Sequence, residues 1–337
     1  MFVNKDNFNN SLKIWLLCMY SLLVFIVFVG GITRLTDSGL SITSWELFSG
    51  ILPPLNSEKW NYYFSEYKKI PEFEFINSKI TLDEFKIIFY WEYGHRLLAR
   101  VVALVSLLPI IYLTIKYKKS FLFMSKYYLI FFLICLQGFL GWYMVTSGLV
   151  SNIDVSHYRL ATHLCLAFII LLIILWYIFQ VFEIKKFNVK ISNLFLIPLF
   201  LLLFLQIIIG AFLAGLDGGL IYNTWPDMNG LYSPNDVSFK EYFYLKSFSN
   251  PSIIQFYHRI IGYTIIIYIL FLNYRYFKNN LEFKSLIFFN AAVLLQIALG
   301  VMALLSGVEI KYASPHQIGS ILVISSYLFI FYKNYSN

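Results

Sequence analysis

The sequence has little charge and few cysteines. Charged residues make up 13% of its 337 residues, whereas soluble domains carry roughly 25%. Three cysteines are too few for a disulfide-stapled scaffold, and 17 glycines are too few for a collagen-like chain. Disorder is excluded because disordered chains are polar, and 59% of these residues are apolar. The long apolar runs, which a transmembrane β-barrel lacks, predict an all-α, polytopic membrane protein.

Eight apolar runs are long enough to cross a bilayer as helices, which takes about 20 residues each. The first run is long for a signal peptide and no small-residue cleavage site follows it, so we expect a retained helix. Cys18, Cys135 and Cys165 fall inside the runs, where we expect buried packing thiols. The predicted spans are 14–33, 93–114, 127–146, 160–181, 193–214, 254–273, 285–306 and 313–332.

The distribution of lysine and arginine indicates the orientation of the chain. The segments before the first span and after the second, fourth, sixth and eighth spans are basic, and the acidic residues in them are Asp6, Glu183 and Glu282. We therefore expect both termini to be cytoplasmic. The net charge of +8 predicts topology and not nucleic-acid binding, because no basic cluster is interleaved with aromatics in a polar segment. The basic residues on that side are Lys5, Lys13, Lys116, Lys118, Lys119, Lys126, Lys185, Lys186, Lys190, Arg275, Lys278, Lys284 and Lys333.

The second half of the chain repeats landmarks of the first half in the same order. Each half contains four spans, an even number, so the halves run in the same direction. We predict two tandem four-helix bundles, residues 1–190 and 191–337, related by an axis along the membrane normal. Long outer connections at 34–92 and 215–253 place the chemistry, or a gate to it, on the outer side. The repeated pairs are His95-Arg96 with His258-Arg259, Gln137–Gly141 with Gln296–Gly300, and His163 with His316.

Four of the five histidines belong to this repeat and are predicted in the first turns of the even-numbered spans. Ionisable residues in lipid are costly and usually functional, and imidazoles from two helices can hold a porphyrin iron from opposite faces. We expect one tetrapyrrole in each half, near the outer leaflet; the alternative is four unrelated polar core residues. The remaining His157 is predicted to be a surface residue in the loop before the fourth span. The four are His95, His163, His258 and His316.

Three charged residues near these histidines carry alternative interpretations. Glu92 precedes His95 by three residues, and Gln255 precedes His258 by three, so each shares a helix face with its histidine. A carboxylate in one half could take up protons or stabilise positive charge during a reaction, or Glu92 could simply pair with Arg96. Arg96 and Arg259 could snorkel to lipid headgroups or bind heme propionates.

Several motifs, spread in order over nearly the whole chain, are similar to those of a known membrane enzyme family. They are Gly30-Gly31-Ile32-Thr33-Arg34-Leu35-Thr36-Asp37-Ser38-Gly39-Leu40-Ser41, Glu92-Tyr93-Gly94-His95-Arg96, Tyr158-Arg159-Leu160-Ala161-Thr162-His163-Leu164, Gly215-Leu216-Asp217-Gly218-Gly219, Asn223-Thr224-Trp225-Pro226, His258-Arg259-Ile260-Ile261-Gly262 and Pro315-His316-Gln317. On these motifs the chain resembles heme A synthase. Some bacterial members have a cysteine pair in the first outer loop, and residues 34–92 have none. The chain therefore looks more like the proteobacterial and mitochondrial branch.

The resemblance implies an oxidoreductase of the cell inner membrane that converts the C8 methyl group of the substrate, heme O, to the formyl group of heme A by successive hydroxylations. It implies heme b as a cofactor on His258 and His316, the substrate heme on His95 and His163, and Glu92 as the essential glutamate. Arg34 and Asp37 are then expected to help close the substrate site. Heme O synthase and cytochrome c oxidase assembly are the protein partners that the family suggests, and a homo-oligomer is compatible with it.

Two other functions remain open on the residues alone. A diheme b-type electron-transfer protein would hold two permanent hemes and form no product. A transporter with repeated halves would bind no iron.

Overall fold

The computed structural model describes residues 2–46, 49–150, 153–188, 191–279 and 283–335, with the backbone alone at 2–5. In these ranges the regular structure is helical apart from an isolated β-bridge between Met228 and Leu231, which confirms the all-α class. Lys190 and Glu282, both used above to orient the chain, lie outside the described residues. The α-helices are α1 (Phe2–Leu35), α2 (Ser57–Tyr67), α3 (Pro71–Phe75), α4 (Leu82–Lys116), α5 (Phe121–Val145), α6 (His157–Val181), α7 (Asn193–Gly215), α8 (Pro251–Lys278), α9 (Lys284–Leu305) and α10 (Ile310–Asn334).

All eight predicted spans are present as helices that are long and apolar enough to cross a membrane, namely α1 and α4 to α10. The chain is therefore a multi-pass membrane protein. Several predicted ends are wrong: α4 starts at Leu82 and not at 93. Its polar first turns are stabilised by Thr81, whose side chain accepts from the Glu84 backbone N–H while Glu84 accepts from the Thr81 N–H. Such a capping box holds a helix without apolar residues.

The chain divides into two compact units, Met1–Ile174 and Leu175–Asn337. In the first unit α4 packs against α1 and α5. In the second unit α7 packs against α8, and α10 packs against both α9 and α7. The arrangement as two tandem four-helix bundles stays a prediction, as do the boundary at 190/191 and the substrate and cofactor roles of the halves.

The segment of the first unit between α1 and α4 has its own small core, packed on the beginning of α4. Trp60 and Tyr67 of α2 pack with Phe85 and Phe89 of α4. Glu72 on α3 is buried beside them and accepts a hydrogen bond from the Tyr67 hydroxyl at 2.9 Å. Burial raises the pKa of the Glu72 carboxyl to about 7, because the charged form is poorly solvated there.

The thiol prediction is wrong for two cysteines. Cys18 and Cys135 are exposed on their helices, and Cys165 is partly buried. In lipid the outer face of a helix is itself apolar, so a thiol gains nothing by turning inward.

Candidate functional site

The four repeated histidines lie on α4, α6, α8 and α10, and all four are partly buried. The first-turn prediction is wrong, most clearly for His95: α4 begins at Leu82, so this histidine lies well inside its helix. Within each unit the described helices bring two of them together. His157 is also placed differently from the prediction, because it is the first residue of α6 and not part of the preceding loop.

The rings of His258 and His316 lie close together in the second unit, with the edge of one toward the face of the other. Their centroids are 6.5 Å apart and their planes are inclined by 77°. Because a metal–imidazole bond is about 2 Å long, two rings on opposite sides of one iron have centroids roughly 6 Å apart. His316 Nδ1 lies 3.0 Å from the backbone oxygen of Gln296. A bond there leaves Nε2 as the ligand atom, the usual arrangement for a metal-binding histidine.

The first unit contains the corresponding pair. His163 is close enough to His95 to interact with it electrostatically. Among the described residues, the Nδ1 atoms of His95, His163 and His258 are buried without a hydrogen-bond partner. Buried polar nitrogens without partners are uncommon and call for an explanation.

A glycine on the preceding odd-numbered span lies against each of the four rings. A Cβ atom added at any of these glycines would lie closer to Cε1 of the ring than an ordinary van der Waals contact. Glycine therefore leaves the space that the imidazole occupies. A Cβ at Gly30, Gly141, Gly210 or Gly300 would lie 2.9, 3.0, 3.3 or 2.7 Å from Cε1 of His95, His163, His258 or His316, respectively.

The donor set fits a porphyrin iron better than a free metal ion. Among the described residues no three His, Cys, Asp or Glu side chains come together as a metal site. A porphyrin supplies four ligands itself and needs two from the protein. Paired imidazoles on apolar helices can supply those two ligands, and in the second unit the ring centroids are 6.5 Å apart. In this structure Nε2 of His258 lies 3.2 Å from Nε2 of Gln206.

Glu92 is buried and its carboxylate is fully engaged. Its Oε2 accepts from the Ser41 hydroxyl and from the backbone N–H of Ile42, both at 2.7 Å. Its Oε1 accepts from Arg96 Nε at 3.0 Å. Glu92 therefore connects the loop that follows α1 to α4, one turn before His95. The ion pair with Arg96 that the sequence offered as one interpretation is present.

Gln255, the counterpart in the second unit, is buried too. Its Nε2 donates to the backbone oxygen of Tyr222 at 3.1 Å. Among the described residues its Oε1 has no hydrogen-bond partner. In both halves the side chain at this position binds the backbone of a loop, but only in the first half is that side chain a carboxylate.

Arg96 and Arg259 bind backbone carbonyls, which neither interpretation from the sequence included. Arg96 donates to Ile42 and Ser44 at 2.9 and 3.0 Å. Arg259 donates to the oxygens of Tyr222 and Thr224 at 3.0 and 2.9 Å. Each arginine directly follows a candidate ligand histidine in the chain, and its guanidinium binds a loop to that part of the helix.

Three other charged residues are placed as follows. Arg34 forms an ion pair with Asp37 at 2.7 Å, at the end of α1. Arg159 donates to the Tyr143 oxygen at 2.7 Å and lies over the Tyr143 ring, so it contacts α5.

Sequence reasoning missed the glycines that face His95 and His258, and it missed Gln206. Gln137 and Gln296 donate through Nε2 to the backbone oxygens of His163 and His316, both at 2.9 Å. Gln206 donates to the His258 oxygen at 3.0 Å. A glutamine four residues before a glycine, which occurs in three of the four odd-numbered spans, could have found Gln206 and Gly210, whereas Gly30 is preceded by no such glutamine.

The family model described as Cytochrome oxidase assembly protein, COX15-CtaA, matches residues 13–328. This chain belongs to the COX15-CtaA family. COX15-CtaA relatives carry the name Heme A synthase. The one from Pelagibacter ubique is 60% identical over 334 residues, covering 99% of each chain. Those from Rickettsia bellii and Maricaulis maris are each 38% identical, over 94% of this chain and 96% or 93% of their own. The resemblance stated from the motifs is confirmed.

Proposed function

We propose that this chain is a heme A synthase, an enzyme of heme A biosynthesis that oxidises the C8 methyl group of heme O to a formyl group. The observation that carries the proposal is the pair of imidazoles His258 and His316, 6.5 Å apart, together with the corresponding pair in the first unit. The names of its COX15-CtaA relatives support the reaction.

The two units take different roles in this proposal. His258 and His316 would hold the resident heme b, which supplies one-electron redox chemistry when bound. His95 and His163 would hold the substrate, heme O. Each of two successive hydroxylations would insert one oxygen atom into a C–H bond of this methyl group and pass two electrons to an external oxidant; the second gives a hydrated aldehyde, which loses water to leave the formyl group.

Glu92 is the proposed catalytic residue. Its counterpart in the cofactor unit, Gln255, is neutral and nearly the same shape, so the difference between the two sites is a charge. A carboxylate one turn from His95 can stabilise positive charge that develops on the substrate or accept a proton from it. The hydrogen bonds from Ser41, Ile42 and Arg96 hold that carboxylate in one orientation.

The setting follows from the basic segments and from the family. We place the chain in the cell inner membrane with both termini in the cytoplasm and both heme sites toward the outer leaflet. Heme O synthase would deliver the substrate, cytochrome c oxidase assembly would receive the product, and the bilayer surrounds the helices. A homo-oligomer is consistent with this scheme.

Heme extraction tests the proposal directly. The full chain is co-expressed with heme O synthase and purified, and its hemes are extracted and separated by chromatography. We expect heme b together with heme O, a hydroxylated intermediate or heme A. Two permanent protohemes and no oxidised product would support the diheme electron-transfer alternative instead.

A further inference from the structure

The backbones of the four histidines are not held equally. At His163, His258 and His316 a glutamine amide from the preceding odd-numbered span donates to the histidine's own carbonyl oxygen, at 2.9, 3.0 and 2.9 Å. In each case the glutamine precedes by four residues the glycine that lies against the same ring. Glutamine and glycine thus lie one turn apart on one helix face, and together they hold one histidine.

The fourth position breaks the pattern. Gly30 lies against His95 as the other glycines do against their rings, but the residue four before it is Ile26. Isoleucine has no hydrogen-bond donor. Among the described residues, His95 is thus the one histidine of the repeat whose carbonyl receives no glutamine amide, and it belongs to the unit that we assign to the substrate.

The glutamines fit closely where they cross to the next helix. A Cβ at Gly319, three residues after His316, would collide with Gln296 Oε1, and a Cβ at Gly262, four residues after His258, would lie 3.6 Å from Gln206 Nε2. Among the described residues, Oε1 of Gln137, Gln206 and Gln296 is buried without a hydrogen-bond partner. An unsatisfied buried acceptor carries a cost, so packing alone would favour an apolar side chain here, as Ile26 shows is possible.

We propose that Gln137, Gln206 and Gln296 are positioning residues that fix three of the four heme ligands. With Ile26 in place of a fourth glutamine, His95 is the ligand from which the heme dissociates. This inference rests on the proposed function, because a substrate heme has to arrive and leave whereas a cofactor heme stays. In the second unit a glutamine binds the backbone of each of the two histidines. In the first unit a glutamine binds the backbone of His163, and His95 has isoleucine at the corresponding place. The asymmetry therefore assigns heme exchange to the His95 side.

Heme release from the purified full chain tests this proposal. The chain, loaded with heme, is mixed with excess apomyoglobin, and transfer is followed in the Soret band. We expect a fast phase that His95→Ala abolishes and a slow phase that His258→Ala abolishes. Ile26→Gln should slow the fast phase about fivefold, which is what one net hydrogen bond provides. Leu22→Gln, one turn away on the same face of α1, is the matched control and should leave the rate unchanged.

A second variant with the opposite substitution, glutamine to isoleucine, keeps the proposal testable if the Ile26 variant does not fold. Gln206→Ile should speed the slow phase about fivefold and shift the low-spin electron paramagnetic resonance signal of the second-unit heme, since that signal depends on imidazole orientation. A purely structural role would lower the unfolding temperature and leave the signal in place. An unchanged fast phase in Ile26→Gln, or an unchanged slow phase and signal in Gln206→Ile, would overturn the proposal. If neither histidine substitution affected any phase, the proposed heme sites themselves would be wrong.

Discussion

Arg96 and Glu92 form a buried ion pair one turn apart on α4, with Nη2 2.5 Å from Oε1. Arg259 follows Gln255 by four residues in the second unit, as Arg96 follows Glu92 in the first. The first unit therefore has a buried carboxylate paired with an arginine at the position where the second unit has a neutral amide. An unpaired buried charge is strongly unfavourable, so Arg96 is what allows Glu92 to be buried here.

Replacing Glu92 with Gln should lower heme A formation by about 100-fold or more, the range expected for a group that handles protons or charge in the reaction. Gln255 shows that an amide fits this position. The resident heme spectrum should not change, because His258 and His316 are untouched. Product per resident heme, measured by extraction, is the readout.

Two variants serve as controls for that experiment. Glu72→Gln removes another buried carboxylate of the same unit and should retain activity. Ser41→Ala removes one donor to Glu92 but keeps its charge, so activity should stay within about tenfold. Wild-type activity in Glu92→Gln would rule out the catalytic role.

Replacing His258 or His316 with Ala should remove the resident heme. Each imidazole would supply one of the two protein ligands, and the second unit contains no other histidine. Reduced-minus-oxidised spectra of membranes measure the loss. His95→Ala should retain the resident heme while abolishing product. A resident-heme spectrum that survives both second-unit substitutions would contradict the assignment.

Adding one methyl group at Gly300 should weaken heme binding in the second unit. The new Cβ would lie 2.7 Å from His316 Cε1, so the ring has to move. Changes in the surroundings of a metal ligand cost about 10- to 100-fold in affinity. Heme per protein after purification is the measure. Gly138→Ala is the control, because a Cβ there meets nothing within 4 Å and alanine favours the helix; equal heme loss in both variants would indicate a general helix effect.

The segment formed by α2 and α3 should lose stability as the pH rises. The pKa of Glu72 is raised to about 7 in the folded protein, above its ordinary value of about 4.3. The folded state therefore binds the proton more tightly, and the stabilisation is complete at low pH and declines until the pH passes about 7. Hydrogen exchange in residues 57–77, corrected for the intrinsic effect of pH, should show less protection at pH 8 than at pH 5.

Glu72→Gln should remove that pH dependence, because the amide mimics the protonated acid. Glu58→Gln, at an exposed position of α2, should leave the pH dependence as it is. A profile that is the same in the wild type and in Glu72→Gln would assign the effect to another group.

The eight spans and the four histidines could be predicted because both depend on features local in the sequence: apolar runs and a repeated motif. The start of α4 could not, since its first turns are polar and held by Thr81 and Glu84, outside the apolar run. The carbonyl partners of Arg96 could not be predicted from the sequence for a different reason. They lie in an irregular loop about fifty residues away in the chain, and helical spacing says nothing about such a distance.

The link between Arg96 and the carbonyls of Ile42 and Ser44 couples two distant parts of the chain. Arg96 follows His95 directly, so any displacement of that turn of α4 also moves the guanidinium and the loop residues that it binds. The loop and the histidine are thereby fixed relative to each other through a single side chain.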